Sequence, residues 1–165
     1  MNQIPSMWRT ELWHPMLVHL PIATLLLATV AGLIAAFLKK GRVKLALADF
    51  TFILLTIGVI TIWMGIYTGL LAYKIEVRTL CDPQVLKTHQ YWAYIAAYIY
   101  TFALVVQLIS FRFSRWKIWF RIVRNLLLLA GCLALGYCGH LGASVVYQQG
   151  GGVYKPSVGC KEFIK

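Results

Sequence analysis

Four long apolar stretches alternate with short polar segments along the chain. They cover residues 17–38, 50–73, 91–111 and 126–147, and none of them contains Lys, Arg, Asp or Glu. An α-helix needs about 20 apolar residues to cross a hydrocarbon core of about 30 Å, and each stretch reaches that length. None shows the strict alternation of a barrel strand, so the pattern predicts transmembrane helices.

The polar segments set the predicted boundaries. Residues 39–44 form a short charged turn, 74–87 a longer loop in which Asp82-Pro83 is a helix-start signal, and 112–121 a mixture of basic and aromatic residues. No internal repeat is recognisable, and the first sixteen residues lack the apolar core of a secretion signal, so we expect the first span to be retained. We predict an all-α, four-helix transmembrane bundle in one integral membrane domain, residues 1–165, with spans at about 15–38, 47–73, 88–111 and 122–147 and an outward tail at 148–165.

Composition and charge agree with a membrane location. Hydrophobic residues make up 60% of the chain and only five side chains are acidic, too few charges to cover a soluble surface. Basic residues concentrate in the first and third turns, which predicts a cytoplasmic location for those turns and periplasmic termini in a bacterial inner membrane. The same bias accounts for the net charge of +11, so lipid is the expected partner and nucleic acid is not. The basic residues of these two turns are Lys39, Lys40, Arg42, Lys44, Arg112, Arg115, Lys117, Arg121 and Arg124.

All four histidines fall on the predicted outer side. His19 lies about 9 Å inward of Trp13, and His140 about 10 Å inward of Tyr147, at about 1.5 Å per helical residue. Intramembrane ionisable side chains usually face the bundle interior or a cavity. Matching depth on two helices therefore predicts that His19 and His140 jointly bind a metal ion or a heme, the alternative being histidines that donate to backbone carbonyls. For a heme, His19 and His140 are the expected axial pair, with one heme or two in the bundle.

The remaining candidates surround that pair. His14 and His89 are expected to form a second axial pair or to contact heme propionates and a quinone. Small residues near the histidines would leave room for a planar macrocycle, although membrane helices also pack closely through such residues. Arg9, Arg78 and Lys87 could meet propionates or act as interface anchors, and Tyr147 shares a polar helix face with His140. The small residues are Gly65, Gly69, Ala93, Ala96, Ala97, Gly136, Gly139, Gly142 and Ala143.

Two end motifs carry a family resemblance. "HPMLVHLPIA" from His14 and "GHLGASVVYQQGG" from Gly139 resemble the ends of a bacterial family of four-helix membrane proteins that long carried only a domain-of-unknown-function label. Some members resemble electron-transfer parts associated with c-type cytochrome modules. The resemblance implies a role in a respiratory or redox complex, and it maps onto His14, His19, His89 and His140. The chain has no CxxCH motif, so any heme would be b-type.

These observations lead to one function and two alternatives. We expect an electron-transfer subunit rather than an independent catalyst, with a c-type cytochrome and other membrane subunits as partners. The alternatives are a cofactor-free structural subunit with hydrogen-bonded histidines, and a periplasm-facing copper or zinc site. Cys81 and Cys160 both fall in outward segments and could form a disulfide, while Cys132 and Cys138 lie within the fourth span.

Overall fold

The structure, a computed structural model, describes residues 5–153, the side chain of Ser114 excepted. Within this range every regular element is helical, and four helical segments are long and apolar enough to cross a membrane. The all-α, four-helix prediction is confirmed. The α-helices are α1 Trp13–Leu17, α2 His19–Phe37, α3 Arg42–Glu76, α4 Pro83–Arg112 and α5 Lys117–Tyr147, with short 3-10 turns at Thr10–Leu12 and Ser114–Trp116.

The helices extend beyond the apolar stretches. α3 begins at Arg42, although the predicted span begins at residue 47, because Arg and Lys are good helix formers and continue the helix past the hydrocarbon core. α4 begins at Pro83, where the Oδ1 atom of Asp82 accepts a hydrogen bond from the Gln84 amide at 2.9 Å. The Asp-Pro signal therefore marks the start of α4 as predicted.

The first span is divided between α1 and α2. Pro21 has no amide hydrogen to donate to the carbonyl of Leu17, and the helix is interrupted at Val18. The chain still turns as a helix there, since the Val18 amide donates to the His14 carbonyl at 3.1 Å and the Ile22 amide to the Val18 carbonyl at 3.2 Å. The result is a local break that leaves His14 and His19 on separate helices.

The helices run up and down in sequence order and form two hairpins. We call α1 to α3 the first hairpin and α4 with α5 the second, because contacts are most extensive within each. The histidine end of the bundle is the one that carries His14 and His89, and the basic end is the one with the turns at 38–41 and 113–116. The first and last described residues both lie at the histidine end.

Large side chains fill the middle of the bundle opposite glycines. Leu25 and Tyr100 are fully buried. A Cβ atom added at Gly58 would overlap the Leu25 side chain, and one at Gly131 would lie 2.9 Å from Cε2 of Tyr100. These glycines therefore permit close approach of helices within each hairpin.

A buried polar network joins the hairpins towards the basic end. The Arg124 side chain, only 3% exposed, donates to Oε1 of Gln107 at 2.6 Å and to Oδ1 of Asn125 at 2.7 Å. Asn125 in turn donates from Nδ2 to the Gly32 carbonyl on α2 at 3.0 Å. Three helices from both hairpins thus share one chain of hydrogen bonds.

Candidate functional site

His14 is held between α1 and α3. Its Nδ1 atom lies 2.9 Å from the carbonyl oxygen of Gly65. A carbonyl can only accept, so Nδ1 is the donor, and in the neutral ring Nε2 keeps its lone pair. The ring packs over Gly69, where an added Cβ would lie 3.1 Å from both Cε1 and Nδ1 of His14.

His89 has the same arrangement in the second hairpin. Its Nδ1 donates to the carbonyl of Cys138 on α5 at 2.9 Å, and an added Cβ at Gly142 would lie 3.1 Å from Cε1 of the ring. The Cys138 thiol also lies close, with Sγ 3.6 Å from Nδ1. In both hairpins, therefore, a histidine on the first helix bonds a carbonyl on the second and packs on the glycine four residues further on.

The sequence itself shows no internal repeat, but the contacts of the two histidines repeat between the hairpins. The repetition involves three positions in each hairpin, one of which contributes only a backbone carbonyl. The matched positions share their contacts but, apart from the histidine and the glycine, not their residue types. The repetition becomes visible only when Gly65 is aligned with Cys138 through their contacts to the two rings.

The two imidazoles meet between the hairpins. Their ring centroids are 6.1 Å apart and their planes are inclined by 78°. A metal ion bound between two ring nitrogens requires a centroid separation of about 6 Å, from two nitrogen–metal bonds of about 2 Å and two ring radii of about 1 Å. The separation of the His14 and His89 centroids is close to this value.

A cavity of about 460 Å³ surrounds the two rings and is lined by all four spans. This volume lies within the range of about 300–1,000 Å³ of small-molecule sites. Most of the lining is apolar, and its charged members among the described residues are Glu11 and Glu76. Glu11 is 3.3 Å from the Arg9 guanidinium, and Glu76 accepts from the Gly152 amide at 3.0 Å.

His19 and His140 lie elsewhere. His19 is exposed and lines the margin of the cavity, whereas His140 is exposed, does not line it, and stacks on Tyr137 at a centroid separation of 6.5 Å. The preference for His19 and His140 as the axial pair is therefore revised, because depth matched but the two rings point to different surroundings. The structure brings together His14 and His89, the second expected pair.

The expected propionate contacts do not line the cavity. Arg9 is engaged by Glu11 and by the Ser6 carbonyl at 3.0 Å, and Arg78 and Lys87 are exposed at the histidine end. Tyr147 borders the cavity with an 87% exposed side chain. Direct contact between Arg9, Arg78 or Lys87 and a ligand around His14 and His89 has no support from the lining.

The cysteines and metal-ligating groups add little further chemistry. Cys81 is exposed and forms no disulfide within residues 5–153, and its expected partner Cys160 lies outside the described residues. In residues 5–153, no three or more His, Cys, Asp or Glu side chains are placed so that they could hold a metal ion. A copper or zinc site built from several protein ligands is therefore not found in this part of the chain.

Sequence reasoning missed the carbonyl of Cys138 and the two lining carboxylates. A carbonyl is available at every residue, so nothing in the sequence could single out that of Cys138. The glycines did carry a signal, because Gly69 and Gly142 lie near the end of the second helix of their hairpins, opposite the histidines at the start of the first.

A family match agrees with this architecture. The family described as predicted membrane protein (DUF2231) matches residues 12–155. The chain belongs to this family. The DUF2231 match covers both hairpins, all four histidines and most of the cavity lining. It confirms the resemblance at the level of a membrane-protein family of unknown function, while the association with cytochrome modules stays a prediction. No curated protein and no solved structure matches the chain.

Proposed function

We propose that this DUF2231 protein is a membrane-embedded, b-type cytochrome-like electron-transfer subunit that binds heme b through His14 and His89. The observation that carries the proposal is the neighbouring pair of imidazoles, with ring centroids 6.1 Å apart and each Nδ1 donating to a backbone carbonyl at 2.9 Å. Metal-bound histidines usually donate their second ring N–H to such an acceptor, which fixes the tautomer and leaves the other nitrogen free.

The equivalence of the two half-sites supports heme over a simple metal ion. Heme iron offers two axial positions on opposite sides of one plane, and histidine is a common ligand there. Zinc is usually held by three or four protein ligands, and no such set is present in the described residues. Because Gly69 and Gly142 have no side chain, each imidazole ring has room to pack against the neighbouring helix. The lining of the cavity is largely apolar.

The electron-transfer role follows from the proposed ligand. When bound, heme b supplies a one-electron couple between ferric and ferrous iron, and the protein supplies binding, orientation and electrostatics. We propose a c-type cytochrome as one partner, and the quinone pool or another membrane subunit as the other. The positive-inside bias supports a periplasmic location of the histidine end in a bacterial inner membrane.

One observation favours a second candidate, a cofactor-free structural subunit. Each imidazole already donates to a carbonyl on its partner helix, and such a bond satisfies a half-buried ring without any ligand. In that case His14 and His89 would stabilise the hairpins only. The two candidates differ in visible absorbance, because a heme protein is coloured and a cofactor-free protein is not.

A reduced-minus-oxidised absorbance spectrum of the detergent-purified protein tests the proposal. We expect a sharp Soret and α band in the wild type and loss of the bands, or a shift to high spin, in His14→Ala and His89→Ala. His19→Ala and His140→Ala are matched controls that should keep the wild-type spectrum. A colourless, folded protein from heme-replete cells would support the structural subunit instead, and metal analysis of the same sample would reveal copper or zinc.

A further inference from the structure

Towards the basic end, α2 and α5 are in direct contact. The Thr29 hydroxyl oxygen lies 3.4 Å from the Leu128 carbonyl oxygen, and Asn125 donates to the Gly32 carbonyl at 3.0 Å. A Cβ atom at Gly32 would lie 3.0 Å from Leu128, so little space is left between the two helices there.

Nearer the histidine end the same two spans are separated. Pro15 and His19 on one side, and Gly139 and Ala143 on the other, all line the cavity and are all exposed. A Cβ atom added at Gly139 would meet nothing within 4 Å. We call this opening, lined by Pro15, His19, Gly139 and Ala143, the lateral cleft. It lies between the segments Thr10–Phe37 and Lys117–Tyr147, both long and apolar enough to cross a membrane. We therefore expect the lateral cleft to open towards lipid.

His19 is the polar side chain of the lateral cleft. Unlike His14 and His89, its ring forms no hydrogen bond to any of residues 5–153. An imidazole at membrane depth without a protein partner calls for a polar group on a ligand or in water. A ligand that reaches the cleft through lipid must combine one small polar group with an apolar body.

We propose that the lateral cleft binds the head group of a membrane quinone, with His19 as its hydrogen-bonding partner. A quinone carbonyl accepts from the imidazole N–H, and a quinol hydroxyl donates to the imidazole lone pair, so neutral His19 suits both forms. The planar ring fits beside Gly139 and Ala143, and the isoprenoid tail remains in the bilayer. The choice of a quinone among lipid-soluble ligands rests on the proposed electron-transfer function.

Photolabelling with an azidoquinone in proteoliposomes tests the proposal without relying on bound heme. We expect labelled residues within 15–22 and 139–146, and at least a fivefold loss of label in the presence of excess decylubiquinone. His19→Leu should lower the competed label several-fold, and His19→Gln, which keeps a hydrogen-bonding side chain, should retain most of it. His140→Leu is the matched control, because this exposed histidine lies outside the cavity, and its label should stay within twofold of the wild type.

Two results would overturn the quinone site. One is label that excess decylubiquinone does not reduce, which indicates partition into lipid. The other is an equal amount of competed photolabel in the His19→Leu and His140→Leu variants. Because the absorbance spectrum is recorded separately, a heme spectrum without competed label defeats only the quinone site, and competed label in a colourless protein defeats only the heme site.

Discussion

At the scale of single residues, the glycine beneath each imidazole leaves little room for a side chain. An added Cβ at Gly69 or Gly142 would lie 3.1 Å from its histidine ring, so the ring would have to move by a few tenths of an ångström. Because metal ligation depends on accurate ring position, we expect Gly69→Ala and Gly142→Ala each to weaken hemin binding by about threefold to tenfold, measured by spectrophotometric titration.

Gly136→Ala is the control for this prediction. Gly136 lies on the same helix as Gly142, but a Cβ atom there meets nothing within 4 Å. Hemin affinity of this variant should equal that of the wild type. If all three alanine variants bind hemin alike, the two rings are not the site.

At the scale of the helices, the start of α4 has a defined cap. The Asp82 carboxylate accepts from the Gln84 amide at 2.9 Å, and Pro83 occupies the first helical position, where an amide hydrogen would have no partner. Replacement of such a cap by alanine costs about 1 kcal/mol. We therefore expect Asp82→Ala to lower the midpoint of thermal unfolding in detergent by about 2–4 °C.

Asn is as good a cap as Asp, so Asp82→Asn should remain within about 1 °C of the wild type. His89 lies in the second turn of α4 and bonds to α5, which should confine any fraying in the alanine variant to the first turn. An equal loss of stability in both variants would show that charge rather than capping matters at Asp82.

At the scale of the whole molecule, the Arg124 network holds the hairpins together away from the site. Asn125→Leu removes two acceptor bonds from a buried guanidinium and one donor bond to the Gly32 carbonyl. Loss of one partner from a buried charged group costs about 3–5 kcal/mol. We expect a large drop in unfolding free energy in detergent for this variant, with little change in the ligand site at the other end.

The double variant Arg124→Met with Asn125→Leu gives the decisive comparison. It removes the buried charge together with its partner, and such apolar replacement is often neutral or stabilising. We expect the double variant to be more stable than Asn125→Leu alone. If the losses of unfolding free energy from the two single substitutions simply add in the double variant, Arg124 and Asn125 do not act as a unit.

The sequence predicted well those features that depend on local chemistry. Span number follows from apolar length, and the start of α4 follows from Asp82-Pro83. The choice between histidine pairs could not be made in this way, because it depends on helix rotation as well as depth. His19 is five residues after His14, which is about 140° around a helix axis, so only one of the two can face the other hairpin. The sequence predicts a similar depth for His19 and His140, but it does not predict which way each ring points.

The repeated half-sites also have a consequence for the order of assembly. Each histidine finds its carbonyl within its own hairpin, across 51 residues for His14 and 49 for His89. During synthesis the first half-site can therefore be completed as soon as α3 has inserted, long before α5 leaves the ribosome. The cavity exists only after the second hairpin docks against the first. A ligand held by both rings would therefore enter only after the two hairpins have formed and docked.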